Sequence, residues 1–305
     1  MTPDEPTLPD PLPAGSPGSA AGTGGGGLDT RGLSTGQVEV PYPHGIQELE
    51  EGPYDVRFAR TVAEVQLAQK LRYEVFNVEL DEGLASSEAL GRDEDHFDEH
   101  CHHLLLFDRK SGMVVGTYRL MTSEMAHSGQ GFYCAGEFDL THLPAHMIED
   151  SVELGRACIL KDHRNGTALF ALWRGLASYL TWAGRRYFFG CCSLTSQEPR
   201  EGWAMERKLE AKGKVHPEFK VYPHASHTCG TRPPATVELD SIETPKLFQT
   251  YLRYGAKSCG PPALDRDFGT IDFFVVLDLE TIPPRLRGFF FHGLEASAPE
   301  SGRDS

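Results

Sequence analysis

The sequence predicts an α/β (α+β) fold, a mixed and strongly twisted sheet flanked by helices, on three observations. Two apolar runs, 103–107 and 113–121, are joined by the polar segment 108–112 and read as a β-hairpin. An apolar strand (151–160), a glycine-containing turn, an apolar helix (167–183) and a second strand (186–194) then form one βαβ unit. Neither GxGxxG nor GxxxxGK-Ser/Thr occurs, which disfavours dinucleotide-binding and P-loop folds.

The elements follow in order. Residues 1–52 form a Pro/Gly-rich acidic stretch that includes Gly24 to Gly27 and carries seven net negative charges of the chain's -15. Such a composition buries too little apolar surface to offset ordering, so a disordered tail is expected there. A single domain is expected over 53–292 and a flexible C-terminus over 293–305. Order begins near Tyr54. Thr61 and Glu64 make a capping-box pattern, and Val62, Val65, Leu71, Val75 and Val78 recur at helical spacing. In the helix over 167–183, Leu169, Leu172, Trp173, Leu176 and Leu180 share one side. A helix over 199–212 is closed by Gly213, and one opening at Thr244-Pro245 ends at Gly255. An apolar strand over 270–279 completes the pattern.

Composition bounds the function. With 39% hydrophobic residues the chain can build one sizeable core or two small ones, and no run is long and apolar enough to span a bilayer. The acidic balance leaves no basic stripe for phosphates, so nucleic acid is excluded as an expected partner. Seven scattered Cys without a CxxC pair fit reduced cytosolic thiols.

Five stretches carry chemistry. Glu153 and Arg156 sit in an otherwise apolar strand, where a charge must be paired or solvated in a cleft. Positions three apart face opposite sides unless a bulge intervenes, and Gly155 could supply one. A general base and an internal Glu–Arg ion pair are both open readings, and they are compatible. The segment 163–168 reads as an anion-holding turn or as an ordinary Asn-Gly turn before a helix. The segment 93–103 has the residue types of a metal site but fits no standard zinc spacing, so no metal is expected. It reads as a solvated acidic loop, or as the place where Asp98 meets a cationic amine. Cys191 and Cys192 follow aromatic residues and read as core, while Ser193, Thr195 and Ser196 could bond a thioester or pantetheine amide. The charged, Pro-kinked loop 260–273 reads as a site wall or as a loop held by pairs of the Asp265–Arg266 kind.

With these residues placed, the chain resembles the ornithine-lipid branch of the GNAT superfamily. That branch comprises the L-ornithine N-alpha-acyltransferases, also called hemolysin-like, and the related N-acyl amino acid synthases. The likeness rests on Leu71 to Phe76, Phe97 to Leu105, Val114 to Leu120, Glu153 to Arg156, Leu172 to Gly175, Phe189 to Leu194 and Gly255 to Leu279. A weaker likeness links Arg72 to Phe76, and Glu153 with Arg156, to acyl-homoserine-lactone synthases. The GNAT acyl-CoA signature, Arg/Gln-x-x-Gly-x-Gly/Ala, is degenerate here, with His163 at its first position.

The resemblance implies a GNAT-like sheet with a splayed βαβ unit. It also implies transfer of a fatty acyl group from acyl carrier protein to the α-amine of an amino acid, ornithine being favoured. The alternatives are another acceptor such as glycine, or acetyl-CoA-dependent N-acetylation. No cofactor of the enzyme's own is expected, because the donor brings its phosphopantetheine. Glu153 would be the base, and Arg156 its partner or the grip on the substrate carboxylate. Arg164, Asn165, Gly166, Thr167, Ser193, Thr195 and Ser196 would hold pantetheine. Arg72, Asp98, His103 and Asp265 would hold the amino acid. Arg185, Arg186, Lys208, Lys212 and Lys214 would face the acidic carrier. The expected location is cytoplasmic, with peripheral contact at the inner membrane face left open by a lipid-like product.

Overall fold

A computed structural model describes residues 40–83, 85–234 and 242–294, so the expectations for 1–39 and 295–305 lie outside the described residues. The chain runs β1 (Leu49–Glu51), β2 (Tyr54–Phe58), α1 (Val62–Tyr73), α2 (Ala85–Leu90), β3 (His102–Asp108), β4 (Val114–Thr122), α3 (Ser123–Ser128), β5 (Phe138–Asp139), α4 (Ala145–Glu149) and β6 (Ser151–Ile159). It continues with α5 (Gly166–Ala183), β7 (Tyr187–Leu194), α6 (Pro199–Ala211), β8 (Tyr222–Pro223), α7 (Lys246–Tyr254), β9 (Lys257–Ser258), β10 (Ala263–Asp265), β11 (Thr270–Asp278) and α8 (Pro284–Phe291). One sheet carries the order β1-β2-β3-β4-β6-β7-β11-β10, with β9 also on β11. All its pairings are antiparallel except β6–β7.

That parallel pairing positions the site. It runs only from Ser151↔Tyr187 through Glu153↔Phe189, after which the two strands part. The crossover is α5, which packs tightly on the sheet because Gly175 lacks a side chain. A Cβ there would sit 2.6 Å from Val56 Cγ1. Asn165 caps α5 by accepting the Ala168 N–H, and Gly184 ends it with φ 63°.

The α5 face of the sheet, with α6, α7 and α8, holds the largest core, including Leu104, Leu120, Phe188, Phe273 and Val275. The opposite face holds two smaller clusters. One packs Val65, Ala68, Leu71 and Val75 of the α1 segment against Leu105 and Phe107. The other joins Met121, Cys134, Phe189 and Phe274.

Three sequence expectations are corrected. Residues 40–52 are not tail: Ile46 and Leu49 are buried, and β1 pairs with β2. Their anchors lie on α5, where Trp182 Nε1 donates to the His44 carbonyl (2.8 Å) and Arg174 Nε to Glu51 (2.8 Å). Composition over a window hides two apolar residues that distant partners bury. The capping box is only half formed, since Thr61 accepts the Glu64 N–H but Glu64 reaches Arg60 N and Arg57 instead. Val62 and Val78 are exposed, and Val78 lies in the π-helical continuation of α1, Glu74–Glu79, whose wider turns shift the apolar stripe. Among the described residues, no helix is long and apolar enough to cross a membrane.

Candidate active site

A cavity of about 300 Å³ passes through the sheet where β6 and β7 part. Its two ends differ in chemistry. Trp173, Phe188, Leu247, Phe248 and Tyr251 line the α5/α7 side, while Arg119, Glu153, Arg156, Asp265 and Asp272 line the other. At the apolar end the Tyr118 and Tyr251 hydroxyls lie 2.6 Å apart, which satisfies both inside the core.

Glu153 stands at the junction and is buried. Its Oε2 accepts the Tyr133 N–H (2.8 Å) and its Oε1 the Cys134 N–H (2.7 Å). Burial pushes its carboxyl above the usual range, while those backbone donors, the Cys134 thiol and Arg119 oppose the shift. The carboxylate therefore anchors the turn Tyr133–Gly136 and still presents an edge to the cavity. The bulge expected near Gly155 falls one residue later. The β4–β6 register shifts between Thr117 and Arg119, and Arg156 adopts φ 49°. A non-glycine residue in that region costs on the order of 1–2 kcal/mol, so surrounding contacts must hold it. The bulge turns Arg156 to the same side as Glu153, where its guanidinium lies 5.5 Å from the Tyr133 ring and 4.4 Å from the Phe268 ring.

Below this sits a buried ionic cluster. Arg72 donates to Asp98 through Nη1 (2.9 Å) and Nη2 (2.7 Å), and its Nε lies 2.8 Å from Asp93. Arg119 donates to Asp95 (2.6 Å) and Asp98 (3.0 Å). Arg156 holds Asp95 at 3.3 Å and Asp93 at 3.5 Å, the loosest of the set. Three guanidiniums thus face three carboxylates. The arginine charges hold the Asp98 carboxyl far below the usual range against the opposing pull of burial. His103 Nε2 donates to the Asp98 carbonyl (3.0 Å), and burial pushes its ring down to about 4, so it is neutral at pH 7.

The segment 93–103 is accordingly no solvated loop, because Asp93 and Asp98 are buried and paired. Arg72, Asp98 and His103, expected at the amino acid, lie in this scaffold and not on the cavity wall; Asp265, expected with them, does line the wall. Local sequence could not show that three arginines from α1, β4 and β6 converge on it.

The expected pantetheine residues separate. Ser193 lines the cavity. Thr195 donates to Glu82, itself on the cavity wall, and Ser196 accepts the Glu198 N–H (3.1 Å) ahead of α6. Asn165, Gly166 and Thr167 form the start of α5, off the cavity wall, and Arg164 is bound bidentately by Glu79 (2.6 and 2.7 Å). The loop 260–273 is held by Asp265 accepting the N–H groups of Asp267 (2.8 Å) and Phe268 (3.1 Å); Arg266 donates instead to the Ser226 carbonyl (2.6 Å). Of the basic residues expected at a carrier, Arg185 and Arg186 are paired with Glu124 and with Asp278 and Glu280. Lys208, Lys212 and Lys214 line a separate groove with Arg253.

Sequence reading missed Arg119, Tyr133, Trp173, Tyr251, Phe268 and Asp272 as cavity residues. Arg119 alone left a signal, as the one charge in an apolar strand.

Comparison with known proteins fits this arrangement. The acetyltransferase (GNAT) domain family matches residues 71–174, which span the ionic cluster, β6 and much of α5. An L-ornithine N(alpha)-acyltransferase of Brucella abortus (strain 2308) is 32% identical over 257 residues, covering 81% of this chain and 91% of that protein. An L-ornithine N(alpha)-acyltransferase of Agrobacterium fabrum (strain C58) is 32% identical over 253 residues, covering 78% and 85%. Among solved structures, a CoA-dependent acyl-homoserine lactone synthase with SAM and isopentyl-CoA matches at TM-score 0.39 and 15% identity, over 75% of this chain and 82% of that one. At that score the structural likeness adds nothing to the sequence matches. With relatives aligned across more than two thirds of both chains, this chain belongs to the L-ornithine N(alpha)-acyltransferase family of GNAT-domain acyltransferases.

Proposed function

We propose that the protein moves a fatty acyl group, 3-hydroxylated in the favoured case, from acyl carrier protein to the α-amine of L-ornithine, giving a lyso-ornithine-lipid-type product. The observation that carries this reading is the through-sheet cavity, apolar at one end and charged at the other, with Glu153 between them. An acyl chain suits the aromatic end and an amino acid suits the ionic end.

In this reading Glu153 takes a proton from the α-ammonium, directly or through a water. The freed amine nitrogen attacks the thioester carbonyl carbon. Arg156 and Ala157, unpaired at the bulge, offer backbone N–H groups to the oxyanion that forms. Collapse breaks the C–S bond, and the pantetheine thiol leaves with the proton. Arg156, the most loosely paired of the three arginines, grips the α-carboxylate. The donor supplies the phosphopantetheine, so the enzyme needs no cofactor of its own. Ser193 lies beside its thioester, and the start of α5 receives its phosphate. The amphiphilic product puts the working enzyme at the aqueous face of a bilayer as a peripheral protein.

Mass spectrometry of purified protein with 3-hydroxyacyl carrier protein and a pool of amino acids tests this. Acyl-ornithine is the expected product. A different acylated amino acid would keep the chemistry and remove ornithine. No product with either carrier-bound or CoA-bound acyl groups would sink the reading.

A further inference from the structure

Beside Arg156, on and behind the wall at the charged end of the cavity, lies a second group of acids that the chemistry above does not use. Asp272 and Asp265 line the cavity and are both buried. They share one face of the β10–β11 hairpin, where Asp265 lies across from Thr270, and Thr270 donates to Asp272 (3.1 Å). Ser193 lies directly across from Asp272 on β7. Glu137 follows the turn that Glu153 anchors, and it is 5% exposed. Neither of its carboxylate oxygens meets a hydrogen-bond donor. One of its oxygens, one from Asp272 and the Cys191 sulfur lie within 4.8 Å of one another.

The contrast with the neighbouring cluster is one of charge. There, each aspartate has an arginine. Here, among the described residues, no Lys or Arg side chain pairs with Glu137, Asp265 or Asp272. Buried carboxylates without a counter-charge are costly. Burial and mutual repulsion accordingly push the carboxyls of Glu137 and Asp272 upward. The two charge zones share their walls. Tyr133 faces Arg156 and lies four residues before Glu137, while Phe268 covers Arg156 and has its N–H held by Asp265.

We propose that Glu137, Asp265 and Asp272 form the pocket for the side-chain ammonium of a dibasic amino acid, and so select ornithine over neutral acceptors. This deepens the proposed function and rests on it. The α-carboxylate at Arg156, the α-amine at Glu153 and the terminal ammonium at the acid trio give a charged acceptor three fixed points. A neutral side chain leaves the trio unpaired, which is the penalty that separates the two.

The test compares kcat/KM for L-ornithine and for L-norvaline, which has the same chain without the amine, in wild type, Asp272→Asn and Glu137→Gln. Both variants relieve the crowding of buried acids that have no counter-charge, so melting temperatures should hold or rise. The ornithine-over-norvaline preference should fall by about 100-fold in at least one variant. A parallel loss for both acceptors, with the preference kept at its wild-type value, would overturn the pocket. So would a stoichiometric metal in purified wild type that is absent from Asp272→Asn, since the trio side would then be a metal site. Wild type that acylates neither acceptor would refute the acyl-transfer reading itself, a result distinct from the other two.

Discussion

At the scale of single residues, Glu153 on the cavity wall and Glu137 behind it titrate against different surroundings. Glu153 is buried and its two oxygens each accept one backbone N–H, so Glu153→Gln keeps one acceptor, sets its NH2 against the other N–H and loses the basic site. Turnover should fall by about 10²–10⁴-fold, and the N–H left without an acceptor should cost about 1–3 kcal/mol of stability, read from steady-state rates and calorimetry. Turnover within a few-fold of wild type would remove Glu153 as the base. Because burial raises its pKa, activity that needs the ionised form should rise with pH through that raised value.

Glu137 faces Asp272, Asp265, Cys191 and Glu153 without a cation, and its folded pKa lies above the ordinary 4.5. A raised folded pKa means that the native state holds a proton the unfolded chain has released. Its stabilising effect is complete below the unfolded value and is lost as pH rises through the folded one. Glu137→Gln should therefore gain melting temperature over wild type progressively from about pH 5 upward; a pH-independent difference would contradict the assignment. Arg119 shows the opposite case. Arg119→Met leaves the three aspartates of the cluster facing two arginines and should cost about 3–5 kcal/mol in chemical denaturation. What the sequence revealed at this scale follows from contrast. Glu153 stood out as a charge in an apolar strand, whereas Asp93 and Asp95 sat in an acidic run that looked solvated, and only the fold brings arginines to them.

At the scale of elements, periodicity located the hairpin, the βαβ unit and α5 to within a residue or two, because each buries one continuous apolar face. It could not place the bulge at Arg156, which arises from the β4–β6 register and not from a glycine. Nor could it show the anchoring of 44–51 by Trp182 and Arg174, since those contacts span more than 120 residues of chain. The seating of α5 is a close approach of backbone to sheet. Gly175→Ala would drive a methyl against Val56 and Leu104 and should destabilise by about 1–3 kcal/mol, measured by urea unfolding. If α5 instead shifts freely, stability will not change but the Trp173 wall of the cavity will move, and acyl-chain preference will change with it.

At the scale of the whole molecule, the splay lets one cavity open to both faces of a sheet that otherwise separates them. The α5/α7 face contributes a greasy chamber, and the α1 face contributes fixed charges held by buried pairs. In the proposed reaction bond-making is confined to the junction, so the two substrates would be measured independently, one by length and the other by charge. Leu247 lies on the wall of the apolar arm. Leu247→Trp should shorten the preferred acyl chain, because each methylene that no longer finds buried space forfeits about 0.8 kcal/mol, roughly fourfold in kcat/KM. The preference among amino acids should stay as in wild type, since the acceptor's charges are met on the far side of the sheet. Competition assays with a ladder of acyl carrier protein thioesters, run once with ornithine and once with norvaline, read both quantities together. A variant that changes acceptor preference while leaving chain length alone would mean that the two ends of the cavity are assigned the wrong way round.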